Sequence, residues 1–129
     1  MTDHYQRIGQ AALAVSGERV SKLLVYSEVE DGVVSADIFY QLQGRSTVDF
    51  RFAPPAMREL IYEYWQAGDK EIAPRSWAAL KFVVEGGSFS TSFSYPDQFD
   101  SNEDLAERRP RAVAEYFPGV AIDYSAPHG

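Results

Sequence analysis

The chain contains no cysteine among its 129 residues. This absence excludes disulfide bonds, thiolate nucleophiles and metal sites with cysteine ligands, and it is typical of a protein of the reducing cytoplasm. Histidine is scarce as well: His4 and His128 lie near opposite ends of the chain, and chain ends are usually loosely held. A histidine base or a histidine metal pair is therefore not expected, and we predict no enzyme activity, no cofactor and no bound metal.

Long apolar runs are also missing from the sequence. No stretch approaches the roughly 18 residues that a membrane-spanning helix needs, and the first twenty residues lack the apolar centre of a secretion signal. We therefore expect a cytoplasmic protein that does not associate with membranes.

Basic residues are outnumbered, with 12 Lys and Arg against 19 Asp and Glu, and the formal net charge is -7. Such a charge repels phosphate backbones, so direct nucleic-acid binding is not expected. The same charge attracts basic proteins, and nucleases are one class of basic protein. The composition therefore favours a basic protein partner.

The apolar pattern predicts one α+β domain spanning residues 1–129, since helical spacing recurs three times and period-two alternation five times. The predicted order is a helix at residues 5–17, strands at 21–30, 34–42 and 47–52, a helix at 57–68, a two-strand hairpin within 77–95 and a helix at 105–116. This order fits an antiparallel sheet of about five strands with the helices packed on one face. The tail of residues 120–129 is expected to be irregular.

The hairpin prediction rests on Gly86-Gly87, because glycine adopts the positive φ of a tight hairpin turn without strain. Serines at positions 88, 90, 92 and 94 alternate along the second strand, and none has an adjacent histidine or lysine base. We interpret them as a solvent-facing row rather than as nucleophiles. In the last helix, Pro110 predicts a kink or a fresh start, because proline disrupts a helix interior.

Five acids and no base occupy the segment from residue 97 to residue 107: Asp97, Asp100, Glu103, Asp104 and Glu107. A calcium site is one interpretation, although the spacing lacks the EF-hand pattern. Helix capping is a second, since acids favour the positive end of a helix. A partner-facing patch is a third and is compatible with capping. We take these five acids, the acidic segment, as the candidate partner-binding residues.

Three arginines, Arg108, Arg109 and Arg111, directly follow the acidic segment. A basic cluster beside an acidic one more often pairs within the protein than binds nucleic acid. We therefore expect the neighbouring acids to neutralise these arginines.

Several short motifs follow one another in a characteristic order between Tyr5 and Gly119. They are Tyr5-Gln-Arg-Ile, Val25-Tyr-Ser-Glu-Val, Trp77-x-x-Leu-x-Phe, Gly-x-Phe-x-x-x-Phe-x-Tyr ending at Tyr95 with Asp97 close behind, Glu107-Arg108-Arg109 and Glu115-Tyr116-Phe117. In these motifs the chain resembles the YezG-like immunity proteins, antitoxins that accompany LXG-type polymorphic toxins of bacteria. The resemblance implies a protein without catalysis that binds and neutralises a cognate toxin domain, often a nuclease, inside the producing cell.

Three functional hypotheses follow from these observations. The leading one is a cytoplasmic immunity protein whose acidic segment meets the basic groove of a toxin. The second is a general protein-interaction module that forms homodimers through an edge strand of its sheet. The third is a small ligand-binding protein or enzyme with a pocket between the second helix and the sheet.

Overall fold

A computed structural model of the chain describes residues 2–17, 19–30, 33–71, 78–86, 88–95 and 105–123. The helices are α1 (Thr2–Ser16), α2 (Pro55–Glu71) and α3 (Leu105–Tyr116). The strands are β1 (Val20–Glu30), β2 (Val33–Leu42), β3 (Thr47–Phe52), β4 (Ala79–Glu85), β5 (Ser88–Ser94) and β6 (Ala121–Asp123). The predicted α+β class is confirmed. Within the described ranges, no helix combines the length and the apolar surface that a membrane crossing needs.

The strands form a single sheet in the order β5-β4-β1-β2-β3-β6. Four of the neighbouring pairs are antiparallel, and the pair of β3 with β6 is parallel. The long central strand β1 is buried without a break from Leu23 to Val29. Such continuous burial is typical of a strand that is covered on both faces, because successive side chains point to opposite sides.

The helices cover both faces of the sheet. Helices α1 and α2 pack on the face that carries Leu23 and Ile38, whereas α3 packs on the face that carries Leu24 and Phe39, where it contributes Val113. The prediction that all helices lie on one face is therefore wrong for α3. The physical reason is that β1 and β2 carry apolar residues at consecutive positions, so that each face of the sheet needs its own cover.

The tail is more regular than expected. Strand β6 pairs in parallel with β3 over three positions, from Thr47 with Ala121 to Asp49 with Asp123. Ile122 packs against the core beneath α3, and this apolar contact places the short strand at the sheet edge. The prediction of an irregular tail is wrong for residues 121–123, and residues 124–129 lie outside the described residues.

Helix α3 runs through Pro110 without a new start, so that part of the prediction is also wrong. Pro110 is the sixth residue of the helix, and its side chain is exposed. A proline there removes one backbone hydrogen bond, to the carbonyl four residues earlier. The contacts of α3 with the sheet, described below, stabilise the helix in spite of that loss.

The predicted hairpin is confirmed. Strand β4 pairs antiparallel with β5 from Ala79 with Ser94 to Glu85 with Ser88, and Gly86 follows β4 with a φ of 61°. Ser88, Ser90 and Ser92 are exposed, as expected for a solvent-facing row, whereas Ser94 is half-buried. Gly87 lies outside the described residues.

Ser27 lies at the centre of the sheet with no exposed surface, and its hydroxyl has no hydrogen-bond partner in the described part of the chain. A buried polar group without a partner costs about 1–3 kcal/mol. Ser27→Ala is therefore expected to raise the free energy of unfolding by up to about 1 kcal/mol, measured by urea denaturation. Ser21→Ala in the same strand is the control, because the Ser21 hydroxyl donates to the Gln41 carbonyl at 2.9 Å and is exposed. A lower stability of the Ser27 variant would contradict the expectation.

Candidate functional site

Besides Asp49 of β3, two carboxylates are buried in the described strands, Glu28 of β1 and Asp37 of β2. Strand alternation and register place both on the α3 side, because Tyr26 lies directly opposite Asp37 and Glu28 follows two residues later. A buried carboxylate is strongly unfavourable unless a cation and hydrogen bonds compensate it. The partners of these two carboxylates therefore decide what this face of the sheet can do.

Arg108 of α3 supplies the partner of Glu28. Its Nε donates to Oε2 of Glu28 and its Nη2 donates to Oε1, each at 2.8 Å. The Tyr26 hydroxyl donates to the same Oε2 at 2.6 Å. Both side chains of the ion pair are nine-tenths buried, with 10% of Arg108 and 8% of Glu28 exposed. We call Tyr26, Glu28 and Arg108 the buried triad.

The protonation states within the buried triad follow from these contacts. The hydrogen bond to Glu28 is the main cause that raises the pKa of Arg108 above its ordinary value. Burial, with the hydrogen bond to Glu28 adding to it, raises the pKa of Tyr26 well above that of a free tyrosine. At neutral pH the arginine is therefore a cation and the tyrosine a neutral donor, and both are used to hold one carboxylate.

Arg109 makes a second tie between α3 and the sheet. Its Nη1 donates to Oδ2 of Asp37 at 3.0 Å, and its guanidinium lies 5.7 Å from the ring centre of Phe50. Burial raises the pKa of Asp37, and the hydrogen bond from Arg109 acts in the opposite direction. The Arg109 side chain remains 28% exposed, so this pair is less enclosed than the buried triad.

The other end of α3 is also fixed. Lys22 of β1 donates from Nζ to the Tyr116 carbonyl at 2.6 Å and lies 5.4 Å from the ring centre of Phe117. A cation at this position satisfies a carbonyl that the helix leaves without an internal partner, and it interacts favourably with the helix dipole. Lys81 of β4 pairs with Glu115 at 2.8 Å. Helix α3 is thus bound to the sheet near both of its ends.

A polar cleft of about 200 Å³ lies between α3 and strands β4 and β5. It is lined chiefly by Tyr26, Lys81, Ser94, Arg108, Arg111 and Glu115. Its charges are mostly positive, although Lys81 and Arg108 are ion-paired with carboxylates. Among the described residues, no group of three or more His, Cys, Asp or Glu is placed to hold a metal ion.

The acidic segment falls mostly outside the described residues, since Asp97, Asp100, Glu103 and Asp104 all lie in the undescribed range between β5 and α3. Glu107 lies in the first turn of α3 and is exposed. It directly precedes Arg108, which points to the sheet. The partner-binding role of the five acids stays a prediction.

Internal pairing of Arg108 and Arg109 is confirmed, with two distant carboxylates of the sheet as partners, whereas a contribution of the neighbouring acids and the partner of Arg111 stay predictions, because four of those acids lie outside the described residues. Their partners Glu28 and Asp37 lie 80 and 72 residues earlier in the chain. The reason is geometric, because the side of α3 that carries these arginines faces the sheet. The sequence feature that could have predicted this pairing is the position of Glu28 and Asp37 among the apolar residues of β1 and β2.

The buried triad joins two of the motifs that suggested a family resemblance. Tyr26 and Glu28 belong to Val25-Tyr-Ser-Glu-Val, and Arg108 belongs to Glu107-Arg108-Arg109. In this chain these motif residues hold the fold together. In comparisons with known proteins, no family model matches the chain, and no curated protein matches it closely enough to indicate a relationship.

Proposed function

We propose that this protein is a cytoplasmic immunity protein that binds a basic toxin domain, such as a nuclease, and neutralises it without catalysis. The observation that carries the proposal is the engagement of Arg108 and Arg109 by the buried carboxylates of the sheet. Their positive charge is balanced inside the fold and does not have to be balanced by the acids that precede them. The acidic segment is thereby favoured as a surface for a basic partner.

The overall charge supports the same proposal. Each ion pair within the protein neutralises one acid and one base, so the excess of acidic residues that gives the net charge of -7 is not reduced by such pairs. An excess of this size steers a basic protein during diffusion and raises its association rate at low ionic strength. A nuclease carries a basic groove for the phosphate backbone, and an acidic surface of the immunity protein is complementary to it.

The attachment of α3 also favours binding. The buried triad fixes the start of the helix and Lys22 fixes its end, so the acidic segment leads into an anchored element. Glu107 lies on this anchored helix, and a residue that is held in place before binding loses less conformational entropy on association. Occlusion of a toxin groove needs no catalytic group.

The ligand-binding hypothesis required a pocket between α2 and the sheet. In the structure Met57, Ile61 and Tyr64 of α2 fill this space, and none of the three has exposed surface. An open depression lies on the outer side of α2, where Arg58, Glu59 and Tyr62 contribute to its lining. The filled core counts against the ligand-binding hypothesis.

Reversal of four charges tests the proposed interface. Asp97, Asp100, Glu103 and Asp104 are changed together to lysine, and association is measured by stopped-flow with a candidate toxin, chosen as a basic C-terminal domain of a large secreted protein from the neighbouring genes. The association rate constant at low salt is expected to fall by about tenfold or more, because steering depends on these charges, and the difference should shrink at high salt. Dissociation should change less.

A matched control reverses four exposed acids elsewhere, Glu30, Glu59, Glu63 and Glu85. Both variants carry the same net charge, so a specific interface predicts a much larger effect for the first. Equal slowing would show that only net charge matters, and unchanged kinetics for the first would remove the acidic segment from the interface. A toxin domain that neither binds the protein nor is neutralised by it in co-expression would contradict the immunity function itself.

A further inference from the structure

Strand β5 forms one edge of the sheet, and within the described ranges no strand pairs with its outer side. Edge strands present unpaired N–H and C=O groups, and most proteins protect them with charged residues or proline. The sequence of β5, SFSTSFS, contains neither. Its side chains are open to solvent at Ser88, Ser90 and Ser92, and Phe89 is 47% exposed. The strand itself therefore carries neither of the side-chain types that most directly discourage strand pairing.

The sequence of β5 reads the same in both directions about Thr91. An antiparallel pair of two identical strands with Thr91 on the two-fold axis places Ser88 opposite Ser94, Phe89 opposite Phe93 and Ser90 opposite Ser92. Every residue of the strand then faces one of its own kind. We propose that β5 pairs with β5 of a second copy in this register and joins the two sheets into one.

The hydrogen-bonding pattern of antiparallel strands supports this register. Alternate residues direct their N–H and C=O groups to the outer edge, and pairing requires that such residues meet one another. With Thr91 on the axis, each residue lies opposite a residue of the second copy whose number differs by an even amount. Residues whose N–H and C=O groups point to the outer edge therefore always lie opposite residues of the same kind. A shift of the axis by one residue keeps this match but sets phenylalanine against threonine and leaves strand ends unpaired.

The aromatic residues add apolar contact at the same junction. The Phe89 ring stacks on Phe82 at 5.5 Å between ring centres and is 47% exposed, while Phe93 lies 6.1 Å from Tyr64 at the border of the core. Directly opposite side chains in an antiparallel pair approach to about 5 Å between Cβ atoms. In the proposed register the second copy's Phe93 therefore lies against Phe89, and the contact occurs twice by symmetry.

Charge is also compatible with self-association along β5. The two strands meet along an uncharged line, although each copy carries -7 overall. Glu85 is the cross-strand neighbour of Ser88, so the second copy's Glu85 lies level with Ser94 at two strand spacings, about 10 Å. Ser94 lines the cleft that also contains Lys81 and Arg111. The acid of each copy thus lies on the same side of the joined sheet as the cleft of the other.

Single cysteines test the register, since the chain has no cysteine of its own. Thr91→Cys is expected to form a covalent dimer on mild oxidation, because the axis brings this position against itself. Ser88→Cys is the control, because its counterpart lies six residues along the strand, about 20 Å away. A dimer band on a non-reducing gel for Thr91→Cys and a monomer for Ser88→Cys is the expected result. Equal cross-linking of both, or of neither, would overturn the register.

Paired charges test the interface without cysteine chemistry. Ser90→Glu with Ser92→Glu sets like charges opposite each other, whereas Ser90→Lys with Ser92→Glu sets opposite charges together in the proposed register. Light scattering over a range of concentrations is expected to show dimers for the native chain and for the Lys-Glu variant, and at least about a tenfold weaker dimer for the Glu-Glu variant. Circular dichroism verifies the fold of each variant.

A native chain that keeps the mass of the 14.5 kDa monomer at every concentration would overturn the proposal, as would equal dimerisation of the two charge variants. Salt separates this inference from the proposed function. Added salt strengthens the association of two acidic copies, whereas it weakens the binding of a basic toxin domain. Either proposal can therefore fail without the other.

Discussion

Replacement of Arg108 by methionine is expected to lower the free energy of unfolding by about 3–5 kcal/mol, since removal of one member of a buried ion pair leaves the other charge without compensation. Glu28 would keep the Tyr26 hydrogen bond but lose both donors from the guanidinium. Methionine preserves most of the side-chain length, so the change tests the charge more than the volume. Guanidinium chloride denaturation measures the loss.

Two controls isolate the role of the buried charge. Arg7→Met breaks the Arg7–Glu63 pair, whose side chains are 46% and 55% exposed, and is expected to change stability by less than about 1 kcal/mol. A double variant, Arg108→Met with Glu28→Gln, should recover a large part of the loss, because the buried charge is gone. A loss for Arg108→Met no larger than that for Arg7→Met would contradict the importance of the buried triad.

Replacement of Phe39 by alanine is expected to cost about 3–5 kcal/mol, the range typical of a fully buried phenylalanine. Phe39 has no exposed surface, and its ring centre lies 5.2 Å from that of Phe50 on the α3 face. Its truncation opens a cavity beneath the residues that α3 contributes to the core, such as Val113. Urea denaturation gives the size of the effect.

Phe52→Ala is the matched control for Phe39→Ala. Phe52 also contacts Phe50, at 4.9 Å between ring centres, but 65% of it is exposed, so its loss should cost less than about 1.5 kcal/mol. Hydrogen exchange adds a local measurement, since amides of α3 should exchange faster in the Phe39 variant. Similar losses for both variants would mean that the core beneath α3 is less tightly packed than its burial indicates.

Elements with a local signal could be predicted from the sequence. Strand β3 has the predicted bounds, Thr47–Phe52, and β4 and β5 form the predicted hairpin, with Gly86 directly after β4, because alternation and turn chemistry are properties of neighbouring residues. Strand β6 has only three residues and pairs with a strand more than seventy positions earlier, so no local pattern marks it. The side of the sheet that α3 covers depends on long-range packing in the same way.

The contacts beneath α3 escaped prediction for a related reason. The acids nearest to Arg108 in sequence lie in the segment directly before it, and proximity in sequence alone predicts that they pair with it. In the structure Arg108 binds Glu28, and this contact forms only when α3 packs on a strand that lies 80 residues earlier in the chain. Which groups Arg108 and Arg109 contact could therefore be learned only from the tertiary structure. The burial of Val113, by contrast, could be predicted from the helical spacing of the apolar residues.

The long separation within the buried triad has a consequence for synthesis on the ribosome. The chain emerges from its N-terminus, so Glu28 and Asp37 appear when the helix that compensates them has not yet been made. Helices α1 and α2 can cover one side of the growing sheet in that interval, whereas the opposite side keeps two charges in water. Closure of that side must wait for residues 108 and 109, which makes the arrival of α3 the step that compensates both buried carboxylates.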